Sequence, residues 1–134
     1  MSTTILPEDW PRPKGYANGM TARGQLLAVA GMIGWGTDEV IVSDEFVPQF
    51  RKALQNVVDV VEAAGATHEA IISLTIYVTD KHGYLGNIKD VGAVYRDLMP
   101  KHYPAMALVQ VSALVEDRAQ VEIQALAVLP EENA

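Results

Sequence analysis

Glu122 is the residue of this chain best suited to chemistry. It lies in Val121-Glu122-Ile123-Gln124-Ala125, inside an otherwise apolar run. Alternation there sets Glu122 and Gln124 on the face opposite Val121 and Ile123. Burying an unpaired carboxylate is costly. Glu122 therefore either stands on a wet face, solvated or paired with Arg118, or lines a site. In a site it would work on a proton, as a general base or a group that orients water, and partial desolvation could tune it. Upstream, residues 106–114 alternate too. Met106, Leu108, Gln110, Ser112 and Leu114 take one face; Ala107, Val109, Val111 and Ala113 take the other.

Other chemistries find little support. Cysteine is absent, which removes disulfides, thiolate nucleophiles and zinc–thiolate sites. His68, His82 and His102 fall in separate elements without ligand spacing, so no metal is expected. Ser73 and Ser112 have no adjacent His/Asp signature. Gly31, Gly34 and Gly36 surround Trp35, but no Gly-Lys-Ser/Thr follows and no dinucleotide fingerprint forms. No cofactor is expected. Trp35 reads either as a pocket wall or as a loop anchor. Tyr16 reads as a pocket lid or as packing. His102 lies just before Pro104 and could offer a polar group, although a lone histidine is more often structural.

These residues need elements to hold them. Residues 1–15 carry Pro7, Pro11 and Pro13 and predict an extended arm pinned by Trp10. Residues 16–23 and 25–33 read as a hairpin turning near Gly24. Leu26 to Ala30 are almost all apolar, which predicts burial on both faces. A helix is expected from about Asp44 to Ala64, with Ser43 as N-cap and Pro48 in the first turn. Its stripe is Phe46, Phe50, Leu54, Val57, Val58 and Val61, and Gly65 stops it. A strand spans 71–79 with Ile72, Leu74, Ile76 and Val78 inward. A second helix runs from about Tyr84 to Met99, burying Leu85, Ile88, Val91, Tyr95 and Leu98. A C-terminal hairpin turns at Glu116-Asp117-Arg118, and Glu131 to Ala134 fray. The order ββαβαββ predicts one α+β domain over residues 1–134, a mixed sheet with both helices on one face. The other face, with Ala107 and Val109, is apolar enough to favour association.

Bulk properties narrow the partners. At 134 residues and 49% hydrophobic content, one domain with a real core is expected. No apolar run approaches the ~20 residues that span a bilayer, so no membrane is expected. Met1-Ser2-Thr3-Thr4 lacks a secretory pattern, and a cytoplasmic location is the expectation. The net charge is −7, and the 10 Lys and Arg are scattered rather than striped, which argues against nucleic acid.

Taken in order, several segments resemble the Rid/YjgF family of reactive-intermediate (enamine/imine) deaminases, also labelled endoribonuclease L-PSP. They are Gly15-Tyr16, the run Leu27 to Ile33, Ala53 to Val57 continuing to Ala66, Tyr77-Val78-Thr79-Asp80, Pro104-Ala105, and Val121-Glu122-Ile123-x-Ala125. The resemblance implies a chorismate-mutase-like fold and a homotrimer whose sheets close around a central barrel. It places the sites in clefts between subunits. It makes Glu122 the acid that holds the attacking water. Tyr16, Gly31, Trp35, Met106 and Ala107 become the substrate-binding residues, with backbone amides near Met106 and Ala107 holding a polar atom.

Three positions depart from the family pattern. Its substrate-anchoring arginine after Pro-Ala is Met106, its serine before the first-strand glycine is Ala30, and its helix asparagine is Gly92. A thioether offers nothing like the charged fork by which arginine grips a carboxylate. Met106 reads as the wall of an apolar pocket, as a mark of lost activity, or as core filler. The expected function is hydrolytic deamination of a small enamine or imine lacking a free carboxylate at the usual anchor, such as an amide, ester or thioester. The alternative is a non-catalytic metabolite-binding or chaperone-like trimer. Ribonuclease activity conflicts with the acidic charge.

Overall fold

The apolar stripe of 46–61 forms a helix in the computed structural model, which describes residues 2–131. The fraying expected at Glu132, Asn133 and Ala134 lies outside the described residues. This helix, α1, spans Phe46–Ala63 and buries all six stripe residues. It starts slightly later than expected. Ser43 does not cap it; its Oγ accepts from the Glu45 N–H at 3.0 Å, and Glu45 takes the cap position without a side-chain bond. Around α1 the chain runs β1 Ser2–Ile5, β2 Gly19–Ala22, β3 Gln25–Ile33, β4 Ile71–Val78, α2 Lys81–Leu85, α3 Ile88–Leu98, β5 Ala105–Gln110 and β6 Val121–Leu129. No helix among the described residues is long and apolar enough to cross a membrane.

Neither expected hairpin forms. The main sheet has the order β3-β6-β4-β5. β6 pairs antiparallel with β3 on one side and β4 on the other, and β5 lies parallel to β4. β4 carries buried residues along its length and takes an interior place between β6 and β5. A parallel β4–β5 pair needs a crossover connection, which α2 and α3 supply. The return from β5 to β6 over residues 111–120 is a long loop. It is held by Gln49, fully buried in α1: its Nε2 donates to Ser43 O at 2.8 Å and Arg118 O at 3.0 Å, and its Oε1 accepts from Gln120 N at 2.8 Å. Likewise β2 pairs with β1, not β3, so the N-terminal arm contributes a strand.

The second helix also differs. It breaks at Gly86-Asn87, where Asn87 Nδ2 donates to Gly83 O at 2.7 Å. The break separates Leu85 and Ile88 from the buried stripe and leaves both exposed; burial on α3 begins at Val91, with Val94 and Tyr95.

The core lies between α1, α3 and one face of the sheet. The opposite face is open: Leu26 is 63% exposed, Val109 44% and Leu126 40%. The double burial expected for β3 is therefore absent within one chain, where Val29 is buried and Leu26 is not.

Candidate functional site

Met106 and Leu108 point to the helix side of the sheet, in register with Leu74 and Ile76. There they floor a cavity of about 330 Å³. Its walls are the segment 14–16, Tyr84, Tyr103 and the α3 residues Ile88, Val91, Gly92, Tyr95 and Arg96. The 14–16 segment is placed by Ala17, which is buried, bridges to Ala105 and donates its N–H to Pro104 O at 3.1 Å. Gly15 turns the chain at φ +81°, a left-handed conformation that glycine adopts without steric cost. Tyr16 is thereby set at the cavity beside the start of β5.

Tyr95 stacks on Tyr103, with ring centroids 5.6 Å apart. Its hydroxyl donates to His102 O at 2.8 Å. Burial, with Tyr103 beside it, pushes the Tyr95 phenol pKa up, so it stays a donor. His102 is a structural residue: it is buried, its Nε2 lies 2.6 Å from Ile71 O, and it packs edge-on against His68. It does not line this cavity.

Glu122 occupies the opposite face of the sheet. Its backbone neighbours are Ile33 on β3 and Tyr77 on β4. β3 carries an irregularity between Val29 and Met32, with Ala30 and Gly31 in the unpaired stretch. Such bulges recur beside active sites, where they re-aim side chains. The Glu122 carboxylate rests on Gly31: a Cβ there would stand 2.3 Å from Oε2. What limits a side chain at 31 is the space taken by the Glu122 carboxylate, not φ. Glu122 is half-buried, and among the described residues no ion pair reaches it. Arg118 is committed elsewhere, its Nε and Nη2 lying 3.0 and 2.9 Å from Asp44 Oδ1. Nearby, the Tyr77 hydroxyl donates to Gln124 Oε1 at 3.1 Å.

The expected site residues thus divide. Tyr16 and Met106 share the cavity; Gly31 and Glu122 share the other face. Ala107 is exposed with Val109 on that outer face. Trp35 lines neither place. It packs on Ile33, Ile41 and Ala119, and its carbonyl accepts from Asn56 Nδ2 at 2.9 Å. Sequence reasoning missed Lys14 and Arg96 as cavity residues. The Gly92–Arg96 spacing, one helical turn, was the available signal for Arg96.

The family model described as endoribonuclease L-PSP matches residues 10–129. A 2-iminobutanoate/2-iminopropanoate deaminase of Salmonella typhimurium is 33% identical over 132 residues, covering 96% of this chain and 98% of its own. A Rid-family protein of Yersinia pestis, YyfB, shares the fold at TM-score 0.84 and 24% identity, over 96% of this chain and 98% of its own. The YjgF gene product of Escherichia coli superposes at TM-score 0.66 with 32% identity, over 94% of this chain and 98% of its own. The alignment spans both faces of the sheet, and the chain belongs to the Rid/YjgF family, whose family model carries the description endoribonuclease L-PSP.

Proposed function

We propose that this protein hydrolyses a small reactive enamine or imine and releases ammonia. The observation that carries the reading is the half-buried Glu122 carboxylate, seated on Gly31 without an ion-pair partner. The deaminase name of the Salmonella typhimurium relative supports it. Glu122 takes a proton from water as the oxygen adds to the C=N carbon and passes it to the nitrogen, giving a carbinolamine. It then takes the hydroxyl proton and delivers it to the amine as the C–N bond breaks, so that a C=O forms, ammonia leaves and the carboxylate is restored. An enamine substrate is first protonated at carbon.

The cavity of one chain has no acid in its wall, and Glu122 lies across the sheet from it. The complete site is therefore formed between copies, one supplying Glu122 and the other the cavity with Tyr16 and Met106. The exposed Leu26, Val109 and Leu126 supply an apolar face for that association, and the family resemblance supports three copies as its number. Met106 in the floor leaves no cation at that point, so the substrate has no carboxylate to set against it. The same acid-free cavity favours a second reading, a binding module, for a chain acting alone.

Ammonia release from a panel of enamines generated in situ separates the two. Release should exceed the uncatalysed rate and fall by about a hundredfold or more in Glu122→Gln. No release above background from any member would remove the enzyme. Saturable binding that survives the substitution without turnover would establish the binder.

A further inference from the structure

Four of the chain's five tyrosines stand round one cavity. Tyr16, Tyr84, Tyr95 and Tyr103 line it, and Phe50 joins them. Elsewhere the chain builds apolar surfaces mainly from aliphatic side chains, as Leu54, Val57, Val61 and Ile123 do in the core. Rings gathered at a single place call for a reason.

Two of them already form a platform. Tyr95 and Tyr103 lie 18° from parallel with centroids 5.6 Å apart, an offset stack of the kind aromatic pairs prefer. Tyr95 is 8% exposed and its hydroxyl is spent on His102 O, so what it offers the cavity is ring. Tyr103 is 39% exposed; it rests on Tyr95 and still has ring surface without a neighbour in the chain. The next residue holds its backbone in place, since Pro104 is buried and its O accepts from Ala17 N at 3.1 Å. The floor adds Met106, and a thioether makes favourable contacts with ring edges.

Charge and polarity narrow the ligand. A cage of rings by itself suits a cation, but Lys14 and Arg96 line this cavity and no aspartate or glutamate does. A sugar calls for side chains such as Asn, Gln or Asp that both fix and accept hydrogen bonds, and none of these lines the cavity. A volume of about 330 Å³ lies at the small end of ligand pockets, which suits one ring and not a fused system.

We propose that the cavity takes a single uncharged aromatic ring against the Tyr95–Tyr103 pair, so that the substrate is an enamine or imine bearing an aryl group. The inference rests on the deaminase reading only in taking this cavity as the substrate's seat.

The test is titration of the full chain with benzamide and with cyclohexanecarboxamide, two neutral amides that differ in the saturation of the ring, followed by NMR. The cyclohexyl group presents at least as much apolar area, so a cavity that reads area alone binds it as tightly or more tightly. Wild type should instead bind benzamide about threefold or more tightly. Benzamide should also shift the ring signals of Tyr95 and Tyr103 and the methyl of Met106. Tyr103 is the ring to change, because Tyr95 is buried and bonds the backbone. Tyr103→Leu should abolish the preference while cyclohexanecarboxamide still binds within about threefold of wild type. Tyr103→Phe keeps the ring and should keep the preference. A merely structural role would weaken both probes alike. Equal or weaker binding of benzamide by wild type, no binding of either probe, shifts confined to other residues, or a preference that survives Tyr103→Leu overturns the proposal. Ammonia release is measured separately. Release without a ring preference removes this proposal alone, and a ring preference without release removes the deaminase reading alone.

Discussion

The two faces of the sheet carry complementary chemistry. The helix side holds a cavity with two cations, aromatic walls and an apolar floor, and no acid. The outer side holds an acid on a glycine, with exposed leucine and valine around it and no cation paired to it. Neither face alone carries both the cavity and the acid. The difference teaches what the proposed reaction requires: on that reading, a contact between copies brings the acid of one to the cavity of another.

The contrast breaks most sharply at Gly31. A methyl there would stand 2.3 Å from Glu122 Oε2 and 2.8 Å from its Cδ, so the carboxylate must leave its seat. The displaced group is the far end of a side chain, and the strand itself can stay. Gly31→Ala should lower kcat/KM for ammonia release by about a hundredfold, close to 2.7 kcal/mol of lost transition-state stabilisation. Activity within about threefold of wild type would show that the seat on Gly31 is incidental.

The next effect is on stability and concerns what keeps both faces in one sheet. Gln49 ties α1 to both the 43 loop and the return from β5 to β6. Gln49→Leu keeps the volume but strips partners from Ser43 O, Arg118 O and Gln120 N. Buried polar groups left unpaired cost about 1–3 kcal/mol each; with some regained water contact, about 2 kcal/mol in all is expected from urea unfolding. A change below about 0.5 kcal/mol would mean the return loop is held by other contacts.

Gln49 also shows where sequence reasoning stopped. Alternation assigned the faces well: Met106 and Leu108 inward, Ala107 and Val109 outward, Glu122 opposite Val121 and Ile123. It carries no information on which strand lies beside which: adjacency in sequence suggested two hairpins, but β4 stands between β5 and β6, and β2 pairs with β1 instead of β3. Residues 111–114 keep the alternating pattern, yet β5 ends at Gln110, whose Oε1 accepts from Lys81 N at 2.8 Å at the start of α2. Tyr16, Met106 and Glu122 were singled out through their fit to a family pattern, and the structure sets the first two at the cavity and the third on the opposite face. Arg96 was not singled out as a cavity residue, because its placement depends on a side chain that Gly92 lacks. Trp35 was misplaced as a candidate pocket wall for a similar reason: a ring between glycines fits a wall or an anchor equally, and only Ile33, Ile41 and Ala119 around it decide.

The smallest expected effect sharpens the comparison by what it leaves alone. Arg118 is close in sequence to Glu122 and was the natural partner for its charge. Instead it grips Asp44, and both side chains are largely exposed. Such surface pairs are worth about 0–1 kcal/mol. Arg118→Gln should therefore shift unfolding by no more than about 0.5 kcal/mol. The Gln49 contact is to the backbone oxygen of residue 118 and survives the change. Ammonia release should stay within about twofold, since no proton-transfer partner of Glu122 is removed. A drop as large as that of Glu122→Gln would mean that Arg118 turns to the acid in the assembled protein. The outer face would then hold its own cation, and the division of charge between the two faces would no longer stand.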